Sequence, residues 1–511
     1  MGQNLFNPQL IMKKTFTKLF STGLLMCLTL IGFAVKAQTT SLAAQSTAPA
    51  VSAAAVETKT DSAATVETKA DVKSDKKAKA KAIANETTIA KAADVDTTWK
   101  PQRRLWGYAF GDAYYDQHSP AVTSTLGKEN NYYQTPSNRN AFQFRRIYLG
   151  YDYEITKKFK AEVLLASEPT ENTTPTTATS SVVNGDNTAD GKFSFYIKNF
   201  NLRTRDVWKG TDFVIGEMST PGFALNEPGT NAPTSLSETT WAYRSIERTI
   251  TDFHKNNSYD VGAALQGTFD PATKNFGYVL MVGDNTQASV TTVYNPNSGL
   301  SATNPQPNTG FFKMFYGDLW GKFFNQHLYL DFYADAAKTA STTTAATTAV
   351  ASGLVGPQEH NMYKVFAAYT TPLLTVGVEA YTQNINNAAL NATTKAADNT
   401  TVNAISLWVR GAIVQNKWGY FARFDSYNPD TKFNAADAYS TIYTNYGSYD
   451  PTVKEQFYTF GLDYTPAKNI HFMPNVWLTR YTDQYDSTTK GYVPNDHTLV
   501  YRMTFFYTFG K

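Results

Sequence analysis

The feature that most constrains the fold of this chain is a strict alternation of side-chain character that begins near Arg103. In its last segment, Leu499–Phe509, odd-numbered positions carry Leu, Tyr, Met, Phe, Tyr and Phe, and even-numbered positions carry Val, Arg, Thr, Phe and Thr. A period of two indicates a β-strand with one apolar face. Its length of about ten residues is what a tilted strand needs to cross a bilayer.

Further segments repeat this pattern, so the sequence predicts about sixteen strands. Short connections rich in Gly, Pro, Asn and Asp alternate with long ones rich in Thr, Asn and Ala, as in transmembrane barrels. A soluble sandwich or propeller has strands of about five or six residues and would not keep this rhythm. We therefore predict an all-β chain whose residues 99–511 form a transmembrane antiparallel barrel. The predicted strands are 103–116, 142–154, 158–168, 192–205, 211–217, 258–268, 275–284, 311–320, 326–336, 361–370, 373–384, 402–414, 418–427, 455–464, 470–481 and 497–509.

Composition agrees with this fold. Aromatic residues make up 14% of the chain, yet its mean hydropathy is −0.38. This combination suits strands that meet lipid on one face and water on the other. The formal charge of +3 carries no basic bias towards nucleic acid, because four lysines lie within residues 1–37 and the rest of the chain has a net charge of −1. Those lysines are Lys13, Lys14, Lys18 and Lys36.

Residues 1–37 have the pattern of a secretory signal peptide. The basic start precedes an apolar run, Leu19–Val35, and Ala37 provides a small residue for cleavage. A transmembrane anchor is the alternative, but the run is short for spanning and polar sequence follows it. Cys27 is the single cysteine and lies in this run, so the exported chain would contain no disulfide and no thiolate metal site.

Residues 38–98 are of low complexity and contain no aromatic residue. Ala, Thr, Lys and Glu dominate this stretch, which cannot bury a core. We therefore predict a disordered or partly helical periplasmic segment. Its lysine-rich stretch Lys76–Lys81 raises the hypothesis of contact with peptidoglycan, although acidic residues balance the charge of the segment overall.

Three segments resemble the phosphate-selective porin O and P family. They are Phe144–Gly150 (FRRIYLG), Val214–Phe223 (VIGEMSTPGF) and Arg244–Ile250 (RSIERTI), and the resemblance covers roughly Arg103–Gly267. It implies a sixteen-stranded, homotrimeric porin of a Gram-negative bacterium, with a third loop that folds into the channel. The N-terminal signal and the aromatic content are similar to those of porins from Bacteroidetes-like bacteria. Phosphate-specific members are implied to use a lumenal arginine ladder and a lysine cluster, and this sequence shows no basic cluster that carries over.

Alternation also predicts which charged residues face the lumen, because a charge on the lipid face costs about 2–4 kcal/mol at mid-membrane. Arg and acidic residues share the predicted inward faces, so we expect a water-filled pore with weak ion bias. For any one residue, an ion pair that braces the wall is the alternative. The predicted pore-lining residues are Arg146, Arg203, Arg205, Arg410, Arg423, Asp425 and Arg502, and the other inward acids are Asp152, Glu162, Asp260, Asp331, Asp335, Glu379 and Asp463.

The long loop 218–257 is expected to form a constriction, with a solvated external loop as the alternative. Its candidate residues are Arg244, Glu247, Arg248 and Lys255.

Lys198 has the same parity as Phe200, on the apparent lipid face, and would need a bulge or snorkelling to be accommodated.

Together these patterns predict an outer-membrane porin through which small hydrophilic solutes or ions diffuse passively, surrounded by lipid and lipopolysaccharide. Two alternatives stay open: an anion- or phosphate-selective porin, and a structural outer-membrane barrel tethered to the cell wall. Six histidines show no local metal-ligand spacing, and no Ser-hydrolase elbow, Walker loop or dinucleotide fingerprint occurs. We therefore expect no enzymatic activity, no metal and no cofactor.

Overall fold

The computed structural model describes most of the chain after residue 98. The described residues are 99–120, 137–167, 195–223, 250–251, 258–284, 292–295, 300–303, 313–344, 353–391, 397–433, 439–440, 452–486 and 489–510. The predicted signal peptide and the low-complexity segment lie outside these ranges, so both stay predictions. Among the described residues, no helix is long and apolar enough to cross a membrane.

All sixteen predicted segments are strands in the structure, and each overlaps one observed strand. In chain order they are β1 (Arg103–His118), β2 (Arg139–Glu154), β3 (Phe159–Ser167), β4 (Tyr196–Trp208), β5 (Thr211–Ser219), β6 (Tyr259–Thr268), β7 (Phe276–Gly283), β8 (Met314–Phe323), β9 (Leu328–Thr344), β10 (Gly353–Thr370), β11 (Leu374–Asn391), β12 (Ala397–Val414), β13 (Trp418–Asn428), β14 (Lys454–Ala467), β15 (Ile470–Thr482) and β16 (Asp496–Phe509).

These strands form one closed antiparallel barrel of sixteen strands. Each strand pairs with its neighbours in chain order, and β1 also pairs with β16, so that Tyr114 stands opposite Arg502. Closure leaves no open strand edge, which a barrel in lipid requires. Short strands lie outside the ring. They are Thr292–Asn295 with Leu300–Thr303, Tyr485–Asp486 with Gly491–Tyr492, and Tyr439–Ser440 against the end of β11.

The two faces of the strands differ as the alternation predicts. In β16, Tyr501 and Met503 are 50% and 45% exposed, whereas Val500 and Arg502 are buried. Exposed apolar side chains recur on the outer face of other strands, for example Phe200 on β4. The outer face is therefore the apolar surface that would meet lipid, and the buried side chains of the opposite face line the barrel interior.

Four strands extend well beyond their predicted ends. β9, β10, β11 and β12 reach several residues into segments that the sequence assigns to loops, for example 337–344 and 385–391. These extensions are rich in Thr, Ala and Asn and show no apolar face. Alternation is required only where a strand has lipid on one face, so these segments carry no pattern from which a strand could be predicted.

Two β-bulges correct the sequence-based assignment of inward residues. In β4, Lys198 is the extra residue of a bulge: Ile197 stands opposite Leu165 and Asn199 opposite Leu164. The side chain of Lys198 is 4% exposed and faces the barrel interior, so its predicted place on the lipid face is wrong. A bulge was one of the two ways in which Lys198 was expected to be accommodated, and this bulge changes the parity of β4 at Lys198.

Arg145 enters the interior in the same way. On β2, Arg146 stands opposite Phe110 and Phe144 opposite Gly111, which leaves Arg145 as the extra residue. Strict alternation would place Arg145 and Arg146 on opposite faces, yet both are buried. Both irregularities therefore add a basic side chain to the inner face.

Candidate pore lumen

The predicted pore-lining residues lie on the inner face or at its turn end. Five of them are buried there, namely Arg146, Arg203, Arg423, Asp425 and Arg502. Arg205 lies at the turn end, where it forms an ion pair with Glu154 at 2.6 Å. The constriction-loop candidates Arg244, Glu247, Arg248 and Lys255 lie outside the described residues.

The tightest charge cluster joins β1, β2 and β16. Asp112 accepts hydrogen bonds from Arg502 at 2.5 Å, from Arg145 at 3.3 Å and from the Thr504 hydroxyl at 2.7 Å. Both guanidinium groups also lie over the ring of Trp477, at 3.8 Å for Arg502 and 4.8 Å for Arg145. The cluster is buried, so it braces the wall by charge pairing and cation–π contact.

Two further inward arginines are also paired with carboxylates. Arg423 binds Asp425 through two hydrogen bonds and lies 5.6 Å from the ring of Phe457. Arg203 donates to Gln266 at 3.0 Å and to Asp212 at 3.2 Å. The inward arginines Arg145, Arg203, Arg423 and Arg502 are therefore each paired with a carboxylate.

Strands β6, β8, β9 and β11 carry an acidic part of the wall. Asp318 and Asp331 are buried on the inner faces of β8 and β9, and Glu379 is buried on β11. Lys364 of β10 lies among them, with its Nζ 3.8 Å from Oε1 of Glu379. On the same wall Asp260 accepts a hydrogen bond from the Tyr316 hydroxyl at 2.8 Å.

Two described pieces of the third loop contact this wall. Lys364 Nζ donates to the carbonyl oxygen of Gly222 at 2.5 Å, just after β5. The Thr251 hydroxyl, near the other end of the loop, donates to Glu379. We call Gly222, Thr251, Lys364 and Glu379 the loop anchor. Because Lys364 and Glu379 are adjacent, one charge pair holds the loop at two points inside the barrel.

Apolar packing supports the loop anchor. Ile250 is completely buried in a cluster of inward residues that includes Met218, Met281, Met314 and Met362. Unbranched methionine side chains fill irregular gaps, and Ile250 contributes its burial to holding the loop against the wall.

A cavity of about 670 Å³ lies at the turn end of β11 to β15. Arg410, a predicted pore-lining residue that is half-buried, contributes to its lining together with Asp463 and His471. Nδ1 of His471 is 2.9 Å from Oδ1 of Asp463. Charged groups therefore continue to the end of the barrel that carries the short turns.

Sequence reasoning missed several lumenal groups for identifiable reasons. Arg145 and Lys198 were hidden by bulges, which no local pattern announces. Asp318 and Lys364 lie on strands with aromatic residues on both faces, so parity alone does not say which face is inward. Asp112 lies on the same face as Arg502 in the register of β1 and β16. This neighbourhood could not be predicted from the sequence, because it depends on the pairing of the first and last strands that closes the barrel.

Solved structures of outer-membrane channels and porins are similar to this chain. No protein-family model matches the chain, and no curated protein matches it. The outer-membrane channel DcaP of Acinetobacter baumannii shares 11% sequence identity at a TM-score of 0.50, covering 81% of this chain and 99% of that one. The anion-selective porin of Comamonas acidovorans shares 11% at a TM-score of 0.47, covering 80% and 100%. OmpF of Salmonella typhi shares 12% at 0.43, covering 80% and 97%.

Identities this low bear on the fold alone. The likeness to DcaP agrees with the observed strand order in showing a closed antiparallel β-barrel. The chain thus has the fold of a closed sixteen-stranded antiparallel β-barrel, and an outer-membrane channel and porins are among its structural neighbours.

Proposed function

We propose that this protein is an outer-membrane porin through which small hydrophilic solutes and ions diffuse passively. The observation that carries the proposal is the closed barrel of sixteen strands, with an apolar outer face and a charged inner face. A barrel of about eight strands is filled by its own side chains, whereas barrels of about sixteen enclose an aqueous channel. In this proposal the third loop narrows the channel, and the protein catalyses no reaction.

The lumenal charges support weak ion selectivity. A ring of like charges would favour one sign of ion, but Asp112 is shared by two arginines and Arg423 is paired with Asp425. The acidic wall around Asp318 and the basic residues of β2 and β4 lie on different strands. We therefore propose a general pore with modest preference between anions and cations.

A planar-bilayer experiment tests the proposal. Purified full-length protein should give stepwise currents in KCl, and a KCl gradient should give a reversal potential close to zero. Heat-unfolded protein is the matched control. Insertion without any current would support the structural, tethered barrel, and a reversal potential near the chloride limit would support the anion-selective alternative.

The phosphate-selective alternative rests on the sequence resemblance. It predicts that millimolar phosphate blocks the chloride current, as expected when phosphate occupies a site in the channel. Sulfate at equal ionic strength is the control. A change in ionic screening alone would affect the chloride current equally in phosphate and in sulfate.

The third loop provides a test of the constriction. Replacing Arg244 and Arg248 together by Ala should change single-channel conductance or anion preference, because two positive charges leave the predicted narrow region. Replacing Lys157, which lies in a short turn, by Ala is the control. Identical currents in all three proteins would reject a constriction built on these arginines.

The proposed porin lies in the outer membrane and assembles as a homotrimer. We place the barrel in the outer membrane with residues 38–98 on the periplasmic side. The family resemblance supports a homotrimer, which gel migration with and without boiling would detect. Retention of the isolated segment 38–98 on purified sacculi would support contact with peptidoglycan, and no retention would reject it.

A further inference from the structure

Three side chains with metal-binding atoms meet where the first and last strands of the barrel pair. His118 ends β1, and Asp496 and His497 begin β16. Nε2 of His118 is 2.8 Å from Oδ1 of Asp496, and Nδ1 of His497 is 3.7 Å from the same oxygen. The three ligand atoms lie within 4.8 Å of one another. We propose that His118, Asp496 and His497 bind a divalent transition-metal ion of the Zn²⁺ class.

A β-bulge creates this arrangement. Asp116 stands opposite Val500 and His118 opposite Leu499, so Gln117 is an extra residue in β1. In a regular strand His118 would point to the face opposite His497. The bulge re-aims it, and the two imidazole rings stack with centroids 4.2 Å apart.

The ligand set fits the chemistry of zinc and its neighbours. Zn²⁺ binds imidazole nitrogen at about 2.0–2.1 Å and carboxylate oxygen at about 2.0–2.2 Å, so tetrahedral ligand atoms lie roughly 3.3–3.5 Å apart. To bind one ion, the distance between His118 Nε2 and Asp496 Oδ1 must increase by roughly half an ångström. The distance between His497 Nδ1 and the same oxygen must decrease slightly. The side chains are 38%, 30% and 42% exposed for His118, Asp496 and His497, which leaves room for that rotation and for water as a further ligand.

Local charge sets the expected affinity. The Asp496 carboxylate attracts a cation, but Arg480 of β15 stands opposite His497 and repels it. We therefore expect binding in the micromolar range rather than the tight binding of a closed structural zinc site. Removing the Arg480 charge should strengthen binding severalfold.

The position gives the metal a structural consequence. β1 and β16 are the one pair of neighbouring barrel strands with no chain connection between them, since they lie at opposite ends of the barrel sequence. A metal held by His118 from β1 and by Asp496 and His497 from β16 would cross-link this closure at the loop end of the barrel. Bound metal should therefore resist opening of the barrel between these strands.

Zinc binding to the purified, detergent-solubilised full chain tests the proposal. Equilibrium dialysis against ZnCl₂ should give one more bound ion per chain in wild type than in His118→Gln and in His497→Gln. His327→Gln, at a short turn distant in sequence from both strands, is the matched control and should keep that ion. Asp496→Asn should weaken binding at least tenfold, and Arg480→Gln should strengthen it.

Stability gives a second measurement. Zn²⁺ should raise the temperature at which the folded barrel converts to the unfolded gel form in wild type and in His327→Gln, but not in His118→Gln. Equal zinc stoichiometry and affinity in wild type, His118→Gln and His497→Gln would overturn the proposal, and so would loss of the ion in His327→Gln. These measurements do not depend on ion conduction, so a failure of the porin proposal leaves them valid.

Discussion

Replacing Lys364 by Met should release the third loop from the barrel wall. Lys364 is 7% exposed, donates to the Gly222 carbonyl oxygen and lies 3.8 Å from Glu379, which accepts a hydrogen bond from Thr251. Methionine fills a similar volume but removes the charge and the donor. The substitution therefore weakens the loop anchor at Gly222 directly and leaves Glu379 without its cation.

The expected magnitude follows from the lost hydrogen bond. A hydrogen bond to a charged group contributes about 1.5–3 kcal/mol. Since about 1.4 kcal/mol corresponds to a tenfold change in an equilibrium constant, the ratio of docked to undocked loop should fall by roughly 10- to 150-fold. Loss of the positive charge beside Asp318, Asp331 and Glu379 should at the same time raise cation preference.

Two assays measure these effects. Single-channel recordings of Lys364→Met should show more frequent current fluctuations and a reversal potential shifted towards the cation limit. Limited trypsin digestion in detergent should cut the third loop, which contains Arg244 and Arg248, at least tenfold faster. This second assay does not require that the protein conducts.

Matched variants separate anchoring from charge. Thr251→Val removes only the hydroxyl bound to Glu379, so it should increase loop cleavage without changing selectivity. Lys338→Met removes a lysine of the neighbouring strand β9 that pairs with Glu359 instead, so it should leave the loop intact. If the third loop of Lys364→Met were cleaved no faster than that of wild type and of Lys338→Met, and its currents were those of wild type, the loop anchor would be refuted.

Two further predictions concern the inner face. Asp112→Asn leaves Arg145 and Arg502 buried without their carboxylate. Breaking a buried pair in this way costs about 3–5 kcal/mol, and urea unfolding in detergent should show this loss of stability. The control Asp483→Asn lies in a pair whose side chains are 44% and 51% exposed, so it should change the free energy of unfolding by less than about 1 kcal/mol. Lys198→Met removes an inward charge that lies 5.1 and 5.0 Å from the rings of Tyr148 and Tyr259. It should therefore shift the reversal potential towards the cation limit. The same shift in the control Lys157→Met, at an exposed turn, would show that the inward position of Lys198 is not the cause.

Much of the fold was predictable because lipid imposes a pattern on every strand that crosses it. Phe200 and Leu202 of β4, like Tyr501 and Met503 of β16, had to be apolar on one face, and that requirement is visible in the sequence alone. The pattern predicted about sixteen strands and their order along the chain, and the structure has sixteen. Beyond the apolar belt the requirement ends, and there the sequence underestimated the lengths of β9 to β12.

The candidate site was predictable only in part. Arg203, Arg423, Asp425 and Arg502 kept the parity of their strands, so their inward position followed from alternation. Lys198 did not, because one extra residue in a bulge reverses parity and leaves no signature in composition or spacing.

The alternating sequence by itself determined that the chain would form about sixteen strands with an apolar outer face and charged residues on the inner side. Only the tertiary structure decided which charges meet. Barrel closure brings Asp112 to Arg502 and His118 to His497, pairs separated by 390 and 379 positions in the sequence, and bulges then set which side chains share a face. Alternation is a local consequence of lipid and water on two sides of a strand, whereas contact between the first and last strands depends on the whole ring being closed.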